Sequence, residues 1–189
     1  MKFFRKVLLL SLKSNIFFVP KKGKRVVILG IDPGFRFAGF GILKKEGRQA
    51  LLLDYGYFAM SSSDSLVTRV GEFHQFFEEK IIACGVTVIA LETPFLGKNA
   101  QNFLKLGYLR GILYLLAHKH KTTIQEFAPT QVKQSVTGFG GATKDQVARV
   151  VLQLFPGMEL PEKEDVTDAL AVTLCGLWAS NQHTLLQKN

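Results

Sequence analysis

The chain has 189 residues, 47% hydrophobic and 21% charged, which suits one soluble globular domain around a single core and excludes a disulfide-stapled or fibrous chain. No stretch approaches the roughly 18 apolar residues that span a bilayer, so no membrane partner is expected. The formal net charge of +9 points to a polyanion, yet residues 1–25 hold eight of the 24 basic groups and no acid, leaving the rest almost neutral.

Residues 1–24, MKFFRKVLLLSLKSNIFFVPKKGK, read as a basic extension, expected to be disordered. Its apolar run Val7–Leu12 is too short for a secretion signal, and no small-residue cleavage site follows. A targeting segment, a DNA-contacting arm and upstream sequence from a misassigned start all stay open. Arg25–Ile31 is β-branched and apolar and runs into Asp-Pro-Gly, so it reads as a buried strand ending at a turn. Ala38–Leu43 and Ala50–Phe58 follow as strands of a meander, separated by the polar turn Lys44–Arg48. Ser61–Asp64 offers caps to a helix whose apolar side is Leu66, Val70, Phe73, Phe77 and Ile81. Val86–Leu91 is a second fully apolar strand, with Glu92 at its carboxyl end. A long helix spans Asn99 to about Lys119 with Phe103, Leu106, Leu109, Leu113 and Leu116 on its apolar side. Thr122–Phe127 reads as a strand, and Thr143-Lys144-Asp145-Gln146 as a capping box opening an amphipathic helix. A last helix runs from near Glu164 to about Ser180. The order predicts one α/β domain over residues 25–182, a mixed five-stranded sheet flanked by helices, with 183–189 as a tail.

Charge within that domain is polarised. Residues 98–149 carry eight basic groups against Glu126 and Asp145, while residues 159–168 carry five acids against Lys163. Nucleic acid needs cations along its backbone, and metal-assisted chemistry on it needs clustered carboxylates. Asp32 and Glu92 each terminate an apolar strand, where an ionised carboxylate is costly unless paired or metal-bound. Ligand sites in such sheets gather at the carboxyl ends of strands. Asp165 and Asp168, three apart at the start of the last helix, can share a face, although an N-cap and a first-turn acid would explain them as well. Four acids at element ends favour a magnesium site, in which hard oxygen ligands leave room for phosphate oxygens. Two ions could assist an in-line displacement. His74, His118, His120 and His183 form no zinc constellation, and His118 and His120 are expected on solvated helix faces. Cys84 and Cys175 read as small apolar residues of a reducing compartment, consistent with the cytoplasm.

Four segments carry a resemblance. The first is Ile28-Leu29-Gly30-Ile31-Asp32-Pro33-Gly34 with Gly39-Phe40-Gly41. The second is Leu91-Glu92-Thr93-Pro94-Phe95 followed by Lys98-Asn99-Ala100 and Leu106-Gly107-x-x-Arg110-Gly111. Then come Ala128-Pro129-x-Gln131-Val132-Lys133-Gln134 with Gly138-x-Gly140 and Lys144-x-Gln146-Val147, and lastly Asp165-x-x-Asp168-Ala169-Leu170-Ala171. In this order the chain resembles the RuvC family of Holliday junction resolvases over residues 25–180. The resemblance implies a ribonuclease H-like fold and a homodimer that nicks four-way DNA junctions in pairs. It implies two Mg2+ ions per site, Mn2+ substituting, and a RuvA–RuvB branch-migration complex as partner. It makes Asp32, Glu92, Asp165 and Asp168 the catalytic metal ligands, and Phe95 an aromatic inserted against junction bases. Lys133 and Lys144 become cations near the scissile phosphate, with Lys98, Lys105 and Arg110 as DNA-backbone contacts.

Gly34, Gly39 and Gly41 are expected to shape a tight hairpin close to DNA. Phe35 departs from a usual small polar residue, and Leu109 from an alanine on the helix that the family uses for dimerisation. The basic extension has no counterpart in the family. Three rivals are weighed against this reading. An actin-like ATPase or sugar-kinase relative shares the Gly30-Ile31-Asp32-x-Gly34 opening but needs a second lobe, for which 189 residues leave no space. A non-catalytic DNA-binding relative would be expected to lose acids. A ribonuclease H-like nuclease acting on another branched or hybrid substrate is the closer alternative.

Overall fold

The computed structural model describes residues 25–47, 49–94 and 100–186, with side chains to Ser180. The extension 1–24, Arg48, residues 95–99 and the last three residues lie outside them, and with them the expectations for Phe95 and Lys98. Five strands are present: β1 (Val27–Asp32), β2 (Phe37–Glu46), β3 (Gln49–Ala59), β4 (Val88–Glu92) and β5 (Thr123–Phe127). They form one sheet in the order β3-β2-β1-β4-β5. The β1–β2 and β2–β3 pairs are antiparallel, while β1–β4 and β4–β5 are parallel, giving the expected mixed sheet.

The helices are α1 (Leu66–Cys84), α2 (Ala100–His120), α3 (Pro129–Thr137), α4 (Lys144–Leu154) and α5 (Glu164–Leu186). Alternation along the strands sorts the core into two layers. Val27, Leu29 and Ile31 point to one face, where α1 and α2 supply Phe73, Phe77, Leu109 and Leu113. Ile28, Leu43 and Ala90 point to the other, under Leu170, Val172 and Leu174 of α5.

Several elements differ from the sequence-based expectation. The hairpin is tighter, because Glu46 pairs with Gln49 and the strands consume most of the polar turn. The cap of α1 is Ser65, whose side chain accepts from the Thr68 amide at 3.1 Å, while Ser61 and Ser63 bond each other in the preceding turn. Leu66 is exposed in the first turn and does not join the apolar side. Helix α3 escapes the sequence pattern altogether, since its N-cap is Ala128, which has no capping side chain. Pro129 in its first turn and the Gln131 carboxamide, which accepts from the Ala128 amide at 2.8 Å, start it instead. Helix α5 continues to Leu186, past the expected boundary at 182. His120 is no solvated residue: it bonds Glu78 at 2.7 Å and, with Lys119 at 2.9 Å, ties α2 to α1.

Candidate active site

The alternation that builds the core also aims the acids. Asp32 follows Ile28 and Gly30, and Glu92 follows Val88 and Ala90, so both carboxylates leave their strands on the α5 face. β1 and β4 are neighbours running parallel, which places the two acids side by side at their carboxyl ends.

The second pair arrives with α5, and glycines decide how close it comes. Gly41 lies directly opposite Gly30 in the β1–β2 ladder, and Gly39 lies opposite Asp32. A Cβ on Gly39 would collide with the backbone of Asp165, and one on Gly30 with Thr173 and the Ala169 carbonyl. A Cβ on Gly41 would press into Leu170. At the far end the roles reverse: a Cβ on Gly176 of α5 would meet the Ala90 side chain at 3.0 Å. The stripe Asp165, Ala169, Thr173 thus lies against bare strand, with the Thr173 hydroxyl buried between the Gly41 and Ala169 carbonyls. The hairpin role expected of Gly39 and Gly41 is therefore corrected, because both sit inside β2 and clear room for α5. Gly34 does serve the turn, since a Cβ there would strike the Phe37 carbonyl.

Electrostatics report the convergence. Burial, then the charges of Asp168, Asp165 and Glu92, push the Asp32 carboxyl up to about 7, against a partial counter-effect from Lys144. Glu92 is likewise raised by burial and by Asp168, while Lys144 and Lys133 act the other way. The Lys144 ammonium donates to Asp168 at 2.8 Å, and that bond raises its own pKa. Lys144 is fixed by the expected capping box: Thr143 Oγ1 accepts from the Gln146 amide at 3.3 Å, and Gln146 Oε1 from the Thr143 amide at 2.9 Å. All four acids, Lys133 and Lys144 therefore share one electrostatic site. Among the described residues no three acids close into a ready cage around one ion. Their donor chemistry nevertheless fits a hard divalent cation, being carboxylate oxygens whose mutual repulsion a cation would relieve.

The expected backbone contacts fare differently. Lys105 is exposed on α2. Arg110 is only 7% exposed, donates to the Glu92 carbonyl at 2.7 Å and pairs with Glu126 of β5. Tyr114 donates to the same Glu126 oxygen at 2.8 Å. Arg110 is thus a positioning residue that pins the end of β4. A guanidinium between strand ends has no signature in a helix pattern, which is why the sequence reading took it for a DNA-backbone contact. Phe35 is half-buried, with the Arg69 guanidinium 4.8 Å above its ring. Leu109 faces the α1 side core and is fully buried, so its departure from alanine concerns internal packing.

Residues 28–176 match the family model described as crossover junction endodeoxyribonuclease RuvC. The chain belongs to the RuvC family. A RuvC from Pelodictyon phaeoclathratiforme is 40% identical over 152 residues, covering 80% of each protein. One from Natranaerobius thermophilus is 34% identical over 161 residues, covering 85% of this chain and all of the relative. Among solved structures, T. thermophilus RuvC in complex with Holliday junction substrate superposes with a TM-score of 0.78 at 28% identity, over 84% of this chain and 97% of that one. The yeast mitochondrial Holliday junction resolvase Ydc2 shares the fold, with a TM-score of 0.57 at 12% identity over 78% of this chain and 76% of that one. The fold of this RuvC-family chain is thus the ribonuclease H-like one, and its activity class is endonucleolytic hydrolysis of DNA.

Proposed function

We propose that this chain resolves four-way DNA junctions by paired nicks during recombination and repair, using Asp32, Glu92, Asp165 and Asp168 to hold two divalent ions. The observation that carries this is the field around Asp32: three further carboxylates bear on one half-buried acid at the ends of β1 and β4. Magnesium, or manganese in its place, would supply Lewis-acid activation of water and stabilisation of the leaving 3′-oxygen. The chain's own residues do the rest. Asp32 and Glu92 are held on rigid strands, which keeps the phosphate position fixed. Lys144, whose ammonium sits at the acids and donates to Asp168 at 2.8 Å, would offer its charge to a phosphate oxygen. Lys133 adds positive potential beside Glu92. Lys98, Lys105 and Phe95 are proposed DNA contacts, Phe95 against junction bases.

A homodimer is the proposed working form. On α2, Leu104, Tyr108 and Leu115 are exposed along one stripe with Gly107 and Gly111. A helix-interior glycine costs about 1 kcal/mol relative to alanine, and here nothing lies within 4 Å of a Cβ at either glycine. No contact among the described residues explains them, whereas a second helix packing closely does. No helix of the described residues is long and apolar enough to cross a membrane. We place the enzyme in the cytoplasm, acting beside a RuvA–RuvB branch-migration complex.

The test is a cleavage panel of four-way junction, flap, duplex and RNA–DNA hybrid with magnesium. The junction should be cut best, with symmetrical nicks. Asp32→Asn should lose about 10³-fold or more in rate while still binding. Equal cleavage by that variant, or a preference for hybrid, would overturn the reading. Leu115→Glu should sediment as a monomer, and an unchanged dimer would move the interface off α2.

A further inference from the structure

The loop between α3 and α4 carries an exposed aromatic that none of the roles above uses. Phe139 is 65% exposed, in the run Gly138-Phe139-Gly140-Gly141 that leads to Thr143 and Lys144. A single exposed phenylalanine is unremarkable on a protein surface. This one is held in place. The Gln134 carboxamide donates to the Gly138 carbonyl at 2.7 Å and accepts from the Gly140 amide at 2.9 Å. The Thr137 hydroxyl accepts from the Phe139 amide at 3.1 Å and can donate to the Phe139 carbonyl at 3.0 Å or the Lys133 carbonyl at 2.9 Å. The Ala142 amide closes a turn on the Phe139 carbonyl at 3.2 Å. The ring lies over Gly141, where an added Cβ would meet it at 2.6 Å. One edge of the ring is thus seated on the backbone while most of its surface faces water, which costs solvation free energy unless something covers it.

Position says what covers it. The turn brings the Cα of Phe139 within about 7 Å of that of Ala142, and two further residues add at most about 7 Å to Lys144. Phosphates along one strand are about 3.4 Å apart along the helix axis, so Phe139 lies within about four nucleotides of a phosphate held at Lys144. The same loop is tied to the turn that carries Lys133. A rigid aromatic between two cations that serve a nucleic-acid backbone has the chemistry of a base-stacking platform.

We propose that Phe139 stacks on an unpaired or unstacked base of the junction, within about four nucleotides of the cut, as a second aromatic contact. This rests on the proposed function and adds a positioning and specificity residue to it. The α3–α4 loop would then read the opened strand near the acids.

The test uses the full chain carrying Asp32→Asn, so that junctions are bound and not cut, with 2-aminopurine placed singly at each of the four nucleotides on either side of the cut mapped for the unaltered enzyme. Phe139→Ala should weaken junction binding by about 5- to 150-fold, the range for losing one stacked base. It should also abolish the 2-aminopurine fluorescence change at one position. Phe139→Trp should keep both and Phe139→Leu should lose both, because bulk without a π-face cannot stack. Duplex binding should be unchanged in all three. Binding and fluorescence equal to Phe139 in both the Leu and Ala variants would overturn the proposal, as would equal losses on duplex and junction. The Leu and Trp variants keep apolar bulk at the site, so they decide the matter even if Ala lowers the melting temperature. If the unaltered enzyme shows no preference for junctions over duplex, the functional reading fails. If it does and the Phe139 variants are neutral, only this inference fails.

Discussion

On the α1 face of the sheet Phe40, Phe58, Phe73, Phe76 and Phe77 interlock, with ring centroids 4.6 to 6.3 Å apart. On the α5 face Gly30, Gly39 and Gly41 present no side chain, and α5 lies against the strands themselves. The first face holds the domain together through buried aromatic area. The second sacrifices that area for proximity, because four carboxylates from two strands and a helix converge only if the helix comes unusually close. The chain therefore separates its stabilising layer from its chemical layer by a single sheet, and the two should fail in different ways when cut.

The sharpest contrast sets Gly39→Val against Phe77→Ala. The valine would push Asp165 off the end of β2, and misplacement by about 1 Å near the chemistry can cost about 10²-fold in rate. Junction cleavage should fall by at least that much while most molecules remain folded at 25 °C. Phe77→Ala should instead cost about 3–5 kcal/mol of stability, read by urea denaturation, with the rate per folded molecule unchanged. A Gly39 variant that cleaves normally would break the contrast. Arg110→Ala lies between these two. It leaves Glu126 with Tyr114 but no cation and takes the Arg110 donor from the Glu92 carbonyl, on a pair that is partly open to water at Glu126. About 2–3 kcal/mol should be lost, together with about a tenfold loss of rate, because the residue acts through the strand end that carries Glu92. A change in stability without any change in rate would reduce it to a structural tie.

Much of this was legible beforehand. The strands ending at Asp32 and Glu92 announced themselves by β-branched runs, and the Thr143–Gln146 box fixed the start of α4. The two faces differ here as well. Phe73, Phe77 and Ile81 recur at helical spacing, so the stabilising layer could be read from periodicity. The glycine saddle could not, because glycines in a row of turns and glycines under a helix look alike until the ladder sets Gly30 opposite Gly41. Arg110 escaped for a related reason. Its partners, the Glu92 carbonyl and Glu126, come from two different strands, and only the sheet order makes them neighbours. Helix α3 was hidden because Ala128 replaces the side chain that normally marks a cap. Phe139 carried no signal beyond its flanking glycines.

The acid cluster also sets a pH dependence. With its pKa raised to about 7 in the folded chain against 3.8 normally, Asp32 disfavours folding once ionised. That penalty is absent below about pH 4, grows between 4 and 7, and is complete above, with a ceiling of about 4 kcal/mol. The measurement that bears most directly on the convergence of the four acids is the Asp32 carboxyl pKa itself, followed by 13C NMR in the metal-free protein and again in Asp168→Asn. The arrangement predicts a value of about 7 that falls when the Asp168 charge is removed. A value near 3.8, unmoved by Asp168→Asn, would mean that α5 does not bring its acids to the strand ends, and would contradict the site as described.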